Sequence, residues 1–238
     1  MSGLHVLTPV KDSLDTTLRT IESVVGSETT VAFDYTVYND FSSDATTARL
    51  QAVADARGLR LVNLRDVTSH PSPNYLLILQ MAQRRAVAEG AHLLIVESDV
   101  TVGRRTIQDL YDHAATLANP GMVAAVTTDP SGSVNFPYLY ARKLAPGVVA
   151  TRKRLSFCCT LLTLRYLSAF AFADLDAGKT WFDVPVSRRS VALGFTNYLV
   201  TSLPVVHEPH SSRPWKRLKY TNPWRYWWRK LRENRDRI

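Results

Sequence analysis

The apolar run Leu93-Leu94-Ile95-Val96 stops at Glu97-Ser98-Asp99, two carboxylates two residues apart at the mouth of what reads as a buried strand. Side chains at i and i+2 of a strand point the same way, so Glu97 and Asp99 can address one hard cation or one ribose. The same string also suits a solvated strand end or a helix cap, and it decides nothing alone. Other acids stand at comparable places. Asp12 follows the strand-like stretch Thr8-Pro9-Val10, and Asp40 lies in the polar turn Asn39-Asp40-Phe41-Ser42-Ser43-Asp44 after a second strand-like run. Asp183 precedes Pro185, a residue suited to the first turn of a helix. A carboxylate at that junction either takes a proton from something in a pocket or meets the positive end of the helix. His207 adds an imidazole, suited to a metal ligand or to a structural bond.

Groups so far apart in the chain need a frame to bring them together. Strand-like segments at 5–10, 31–38, 59–64, 92–96 and 122–127 alternate with amphipathic helices near 12–25, 46–56, 74–89 and 106–117, with Asp12 and Asn74 as expected N-caps. This alternation implies an α/β fold, a mostly parallel central sheet with helices on both faces. Ligands of such sheets bind at the carboxyl ends of the strands, which is where Thr8–Asp12, Asn39–Asp44 and Glu97–Asp99 fall. Beyond Pro130 the alternation weakens. Residues 137–147 read as a loop, 155–164 as a strand and 165–173 as a short helix.

The chain has 238 residues, 45% of them hydrophobic and 21% charged, enough for one full core, which excludes a disordered, collagen-like or disulfide-scaffold protein. Its net charge of +8 is concentrated: residues 213–238 hold ten of the 29 Lys and Arg but two of the 21 Asp and Glu. A neutral body with a cationic tail differs from a uniformly basic nucleic-acid binder. The only cysteines, Cys158 and Cys159, are adjacent and unsuited to a mutual disulfide, which points to a reducing compartment. The first residues lack the pattern of a secretory signal, and the apolar stretch 158–173 is broken by Arg165 and too short to span a bilayer.

In their order and spacing these clusters resemble the inverting GT-A glycosyltransferases of the family 2 type. Pro9-Val10-Lys11-Asp12 stands where that family has Pro-x-Tyr-Asn, the 39–44 turn where it has Asp-Asp-Gly-Ser-Thr-Asp, and Glu97-Ser98-Asp99 where it has Asp-x-Asp. Asp183, Arg189 and Gly194 keep the spacing of the family's catalytic-base segment, and His207 falls where a histidine often follows the next strand. The resemblance implies a nucleotide-sugar donor, of the UDP type, and a divalent metal, Mn²⁺ or Mg²⁺. Thr8, Pro9, Val10, Asp12, Asp40, Glu97 and Ser98 would then hold the nucleotide, Asp99 and His207 the metal, and Asp183 would be the base. Asp40 would accept from the base's N–H, or else stabilise its turn. Trp181 and Arg189 are candidates for acceptor or phosphate contacts, against core and surface roles. The family's Asn-x-Gly before the Asp-x-Asp strand is replaced by Ala82-Gln83-Arg84, and its acid before the catalytic Asp by Phe182.

The expected division is a glycosyltransferase domain at 1–212, with a nucleotide-binding half at 1–128 and an acceptor half at 129–212, followed by a tail at 213–238. In the tail, Trp224, Trp227, Trp228 and Leu231 recur at helical spacing with Arg225 and Arg229 on other faces. Such a helix suits the headgroup layer of an anionic membrane, placing the protein in the cytoplasm on the membrane's inner face near a glycan or lipid-linked acceptor. The alternatives are a tail packed on the body or one bound to single-stranded nucleic acid. Nucleic acid is not the expected partner. Two rivals to the enzyme reading are a non-catalytic membrane-associated binding protein of the same fold and a nucleotidyltransferase, which would need a Gly-rich loop after the first strand.

Overall fold

The structure is a computed structural model that describes residues 3–179, 181–208 and 222–232. Its elements run β1 (Gly3–Val10), α1 (Leu14–Val25), β2 (Phe33–Asn39), α2 (Asp44–Arg57), β3 (Arg60–Asn63), α3 (Tyr75–Ala88), β4 (Ala91–Val96), β5 (Val100–Thr101), α4 (Thr106–Thr116), β6 (Pro120–Thr128), β7 (Val148–Thr151), β8 (Cys159–Leu162), α5 (Leu164–Ala169), α6 (Asp183–Ala192), β9 (Thr196–His207) and α7 (Pro223–Arg232). The strands form one sheet in the order β3-β2-β1-β4-β8-β6-β9-β5, with β7 paired to β9.

Period-two burial builds two layers from each strand. Leu7, Leu93, Ile95 and Met122 face the side covered by Ile78, Leu79, Ala82 and Ala86 of α3. Leu4, Val6, Leu94 and Val96 face Ile21 and Val24 of α1, Leu50 of α2 and Ile107 and Leu110 of α4. The strands are therefore buried on both faces, which is why they read as continuous apolar runs rather than strict alternations.

Three departures from simple parallel order create the site. β8 enters antiparallel between β4 and β6, pairing Val96 with Cys159, so the residue before β8 meets the residue after β4. The Glu97 N–H accordingly donates to the Cys158 carbonyl at 2.9 Å. The two-residue β5 pairs antiparallel with the end of β9, Val100 opposite His207. Between Ala125 and Val126 the β6–β9 register jumps, Val200 giving way to Pro204, and the irregularity re-aims the last residues of β9. At the other end, α6 docks closely on Gly121 of β6. A Cβ there would lie 2.1 Å from Ser190 Oγ and 2.8 Å from Phe195 Cβ.

Neither expected cap holds. α1 starts after Ser13, which makes no side-chain cap bond, and Asp12 is used elsewhere. Asn74 precedes α3 without capping it, because its side chain is committed to Asp40 and the His70 carbonyl. The loop expected at 137–147 contains a short 3-10 turn at Leu139–Lys143.

Candidate active site

At the carboxyl end of β4 the donor atoms of Glu97, Cys158 and His207 all lie within 4.8 Å of one another. Cys158 Sγ is 3.6 Å from Glu97 Oε2 and 3.9 Å from His207 Nε2. Asp99 meets the same imidazole nitrogen, its Oδ2 3.6 Å from His207 Nε2. His207 Nδ1 is 2.8 Å from the Phe136 carbonyl. That contact requires a proton on Nδ1, and it turns Nε2 toward the cluster in the manner of a metal-ligating histidine. Burial alone would lower the His207 pKa, but the Cys158 sulfur and the Asp99 carboxylate outweigh it and push it up to about 11. Burial raises the Cys158 thiol, and the Glu97 carboxylate adds to the rise. The Glu97 carboxylate, a thiol and an imidazole at this spacing fit a divalent cation, with Asp99 beside the imidazole: a tetrahedral ion with bonds of roughly 2.3 Å to sulfur and 2.0–2.2 Å to oxygen separates such donors by about 3.5 Å.

Asp183 opens α6 with its side chain 13% exposed, and its Oδ2 accepts from Arg154 Nη1 at 2.9 Å. Burial raises its carboxyl above the ordinary range while the guanidinium opposes the rise. Its place is set by the 154–156 segment. Ser187 of α6 donates to the Asp183 carbonyl and accepts from the Leu155 N–H, tying the helix's first turn to that segment. Two aromatic residues connect Asp183 to the metal-type cluster. The exposed Phe136 lies 5.8 Å from the Arg154 guanidinium, and its carbonyl holds His207. The buried Tyr138 hydroxyl accepts from the Ser156 N–H at 2.9 Å, and its ionisation is opposed by both Cys158 and Asp183. Phe136 thus touches both groups: its ring faces the Arg154 that holds Asp183, and its carbonyl holds the His207 of the cluster.

The turn after β2 is a hydrogen-bonded platform. Asp12 Oδ1 accepts from the Ser43 N–H at 2.8 Å, which lowers the Asp12 carboxyl, and the Asp12 N–H donates to Ser42 Oγ. The ends of β1 and β2 are stitched together in this way, with Asp12 and Phe41 at positive φ. Asp40 is buried. Its Oδ2 accepts from Ser72 Oγ and the Asn74 N–H, and its Oδ1 from Asn74 Nδ2. The structure therefore gives Asp40 the turn-stabilising role, anchoring the approach to α3.

Two expected nucleotide contacts are corrected outright. Thr8 is wholly buried with its hydroxyl 2.9 Å from Tyr35, and Val10 belongs to the core beneath α1. The alternation of β1 turns both into the layer, leaving Pro9, half-buried, as the residue of the three on the open side. Ser98 is buried between the two acids. Arg189 lies over the Phe170 ring at 5.6 Å, so the cation beside Asp183 is Arg154, which the sequence did not single out. Trp181 is half-buried two residues before Asp183. Gln83, in place of the family's pattern, is structural: it donates to the Leu167 carbonyl and accepts from the Phe172 N–H. Arg85 pairs with Asp34 and Glu89 at the opposite end of the sheet from the cluster. Cys158 was missed because adjacency to Glu97 arises only from the antiparallel insertion of β8. In α7, Trp224, Arg225, Trp227 and Trp228 are exposed; the side chain of Arg229 and residues 209–221 and 233–238 lie outside the described residues. No described helix is long and apolar enough to cross a membrane.

No protein-family model matches the chain, and no curated protein matches it in sequence. Solved structures do. A mannosyltransferase from Pyrobaculum calidifontis, PcManGT, in complex with GDP-Man and Mn²⁺, superposes with a TM-score of 0.66 at 12% identity, over 97% of this chain and 64% of that one. GalNAc-T7 with UDP, GalNAc and Mn²⁺ gives 0.66 at 11% identity, over 87% and 44%. S. aureus TarS 1-349 gives 0.60 at 15% identity, over 86% and 60%. The chain thus spans less than two thirds of each of these neighbours. At these identities the likeness speaks for the architecture: a mostly parallel, helix-flanked sheet of the GT-A, Rossmann-like type.

Proposed function

We propose that the protein is an inverting, family 2 type glycosyltransferase that moves a sugar from a nucleotide-sugar donor to a hydroxyl of a glycan or lipid-linked acceptor. The observation that supports the reading is the link through Phe136: its ring lies 5.8 Å from the Arg154 guanidinium that holds Asp183, and its carbonyl holds the His207 beside Asp99, 84 residues from Asp183 in sequence. Support for the class comes from the neighbours, whose complexes hold GDP-Man with Mn²⁺ and UDP with GalNAc and Mn²⁺. In this reading the nucleotide lies along the β1 and β2 ends, on Pro9, Asp12 and the 39–44 turn, with the UDP type as the proposed donor and Glu97 reaching the ribose. Asp99 and His207 would hold a divalent cation, Mn²⁺ or Mg²⁺, which when bound neutralises charge on the departing diphosphate.

The rest falls to the chain's own groups. An alcohol is a weak nucleophile at neutral pH, so a carboxylate must accept its proton as the new bond forms. In this reading Asp183 is that carboxylate. Its burial makes it a stronger base than a solvated aspartate, and Arg154 keeps it ionised and oriented. Phe136 offers an exposed apolar face to a sugar ring between the two centres. α7 would hold the enzyme at the cytoplasmic face of an anionic membrane, where a lipid-linked acceptor is met.

The test is a panel of nucleotide sugars with Mn²⁺ or Mg²⁺, scored by released nucleoside diphosphate. Asp183→Asn should abolish transfer while keeping donor affinity, and Asp99→Asn should weaken metal-dependent donor binding by calorimetry. Wild-type turnover in Asp183→Asn would remove the base assignment. Donor binding without turnover in the wild type, across the panel, would favour the non-catalytic alternative.

A further inference from the structure

The cluster beside β4 contains a group that oxygen-seeking cations do not need. Cys158 is 2% exposed at the border of an apolar layer, and its sulfur lies 3.6 Å from Glu97 Oε2 and 3.9 Å from His207 Nε2. Its neighbour Cys159, the first residue of β8, lies in the same layer with Leu161 and Val200. Ser156 Oγ lies 3.3 Å from Cys158 Sγ, a polar partner from behind. The sulfur–oxygen and sulfur–nitrogen separations of 3.6 and 3.9 Å are close to the edges of a tetrahedral site with one sulfur donor, about 3.5 Å. His207 is already turned by the Phe136 carbonyl so that Nε2 faces inward.

We propose that Cys158 is a metal ligand, and that Glu97, Cys158 and His207 bind a thiophilic divalent cation of the Zn²⁺ or Co²⁺ class in the absence of any nucleotide. Thiolate and imidazole favour such ions over Mg²⁺ and Mn²⁺, which take carboxylate and phosphate oxygens. On binding, the Cys158 thiol proton and the His207 Nε2 proton both leave to solvent, and a sulfur–metal and a nitrogen–metal bond take their places. The proposal deepens the metal assignment made under the proposed function. It also alters the expected behaviour: three protein donors hold the ion without help from substrate. Zn²⁺ would then compete with Mn²⁺ for His207 and draw Glu97 away from the ribose.

The experiment uses the full chain, stripped of metal and free of nucleotide, titrated with Co²⁺. The expected result is a near-ultraviolet sulfur-to-cobalt charge-transfer band that saturates with added metal and is lost in Cys158→Ser. Calorimetry on the wild type should give Zn²⁺ affinity on the order of 100-fold above that for Mg²⁺. A cobalt complex without the charge-transfer band, a band unchanged in Cys158→Ser, or equal Zn²⁺ and Mg²⁺ affinities would each overturn the assignment. The first and third readouts need only the wild type, so a poorly folding variant does not rescue the idea. No sugar donor is present, so a positive band with no transfer from any nucleotide sugar would sink the glycosyltransferase reading alone. Transfer without the band would sink this one.

Discussion

On the Asp183 carboxyl, two influences act in opposite directions. Burial raises its pKa and the Arg154 guanidinium lowers it, with the first prevailing. A general base works only when ionised, so kcat/KM should fall as pH drops through the Asp183 pKa. Arg154→Met removes the lowering influence, and the pKa must rise further. The acid limb of the pH–rate profile should therefore move to higher pH, while Arg154→Lys, which keeps the charge, should move it less. A limb that stays in place, or moves to lower pH, would show that Asp183 is not the group titrating. The two partners differ in how visible they were. Asp183 stood out in the sequence through its spacing to Arg189 and Gly194, which resembles the family's base segment. Arg154 did not, because an arginine in a loop is common and only the docking of α6 on residues 154–156 gives this one its role. The same holds for Cys158 against Glu97. Thr8 and Val10 show the converse error: they belong to a string of the right type, but strand alternation turns their side chains into the layer.

Elements set how firmly these residues are held. Asn74 Nδ2 donates both to the buried Asp40 carboxylate and to the His70 carbonyl, so it fastens the α3 approach to the β2 end. Asn74→Ala leaves a buried charge short of one donor and should destabilise the protein by about 1–3 kcal/mol, read from urea unfolding. No change in the midpoint would mean that water replaces the amide freely. Gly121 is a second lever. Alanine there forces α6 away from β6 and should lower stability by about 1–3 kcal/mol. Because α6 carries Asp183, transfer should fall more than donor binding does, which separate measurements of kcat and donor affinity would show. Loss of donor binding alone would contradict that coupling. The helices and long strands of the first half were legible from period and punctuation: β4, expected at 92–96, spans Ala91–Val96. β5 and β7 were not, since two- and four-residue strands carry no periodicity and exist only through pairing with β9. β5, with β8, borders the site, β5 opposite His207 and β8 beside Val96.

For the molecule taken whole, the distribution of charge and tryptophan determines where such an enzyme would work. The chain outside 213–238 has balanced charge, so long-range attraction to an anionic surface must come from the tail. In α7, Trp224 is 84% exposed, Trp228 64% and Leu231 72%, at i, i+4 and i+7 on one stripe, with Trp227 beside them. Among the described residues this stripe is exposed. Each Lys or Arg near an anionic bilayer contributes about 1 kcal/mol, and salt screens that attraction, whereas tryptophan insertion is far less salt-sensitive. The two contributions are therefore separable. Co-sedimentation with phosphatidylserine-containing vesicles should fall steeply with added salt for the wild type. Replacing Trp224, Trp227 and Trp228 by alanine should weaken binding at every salt concentration, and removing residues 213–238 should abolish it with the far-ultraviolet signature of the body retained. Equal binding after truncation would locate the membrane contact elsewhere. An insoluble truncated body would mean that the stripe covers the domain, and the membrane proposal would fall while the reading of Asp183 and Asp99 stood.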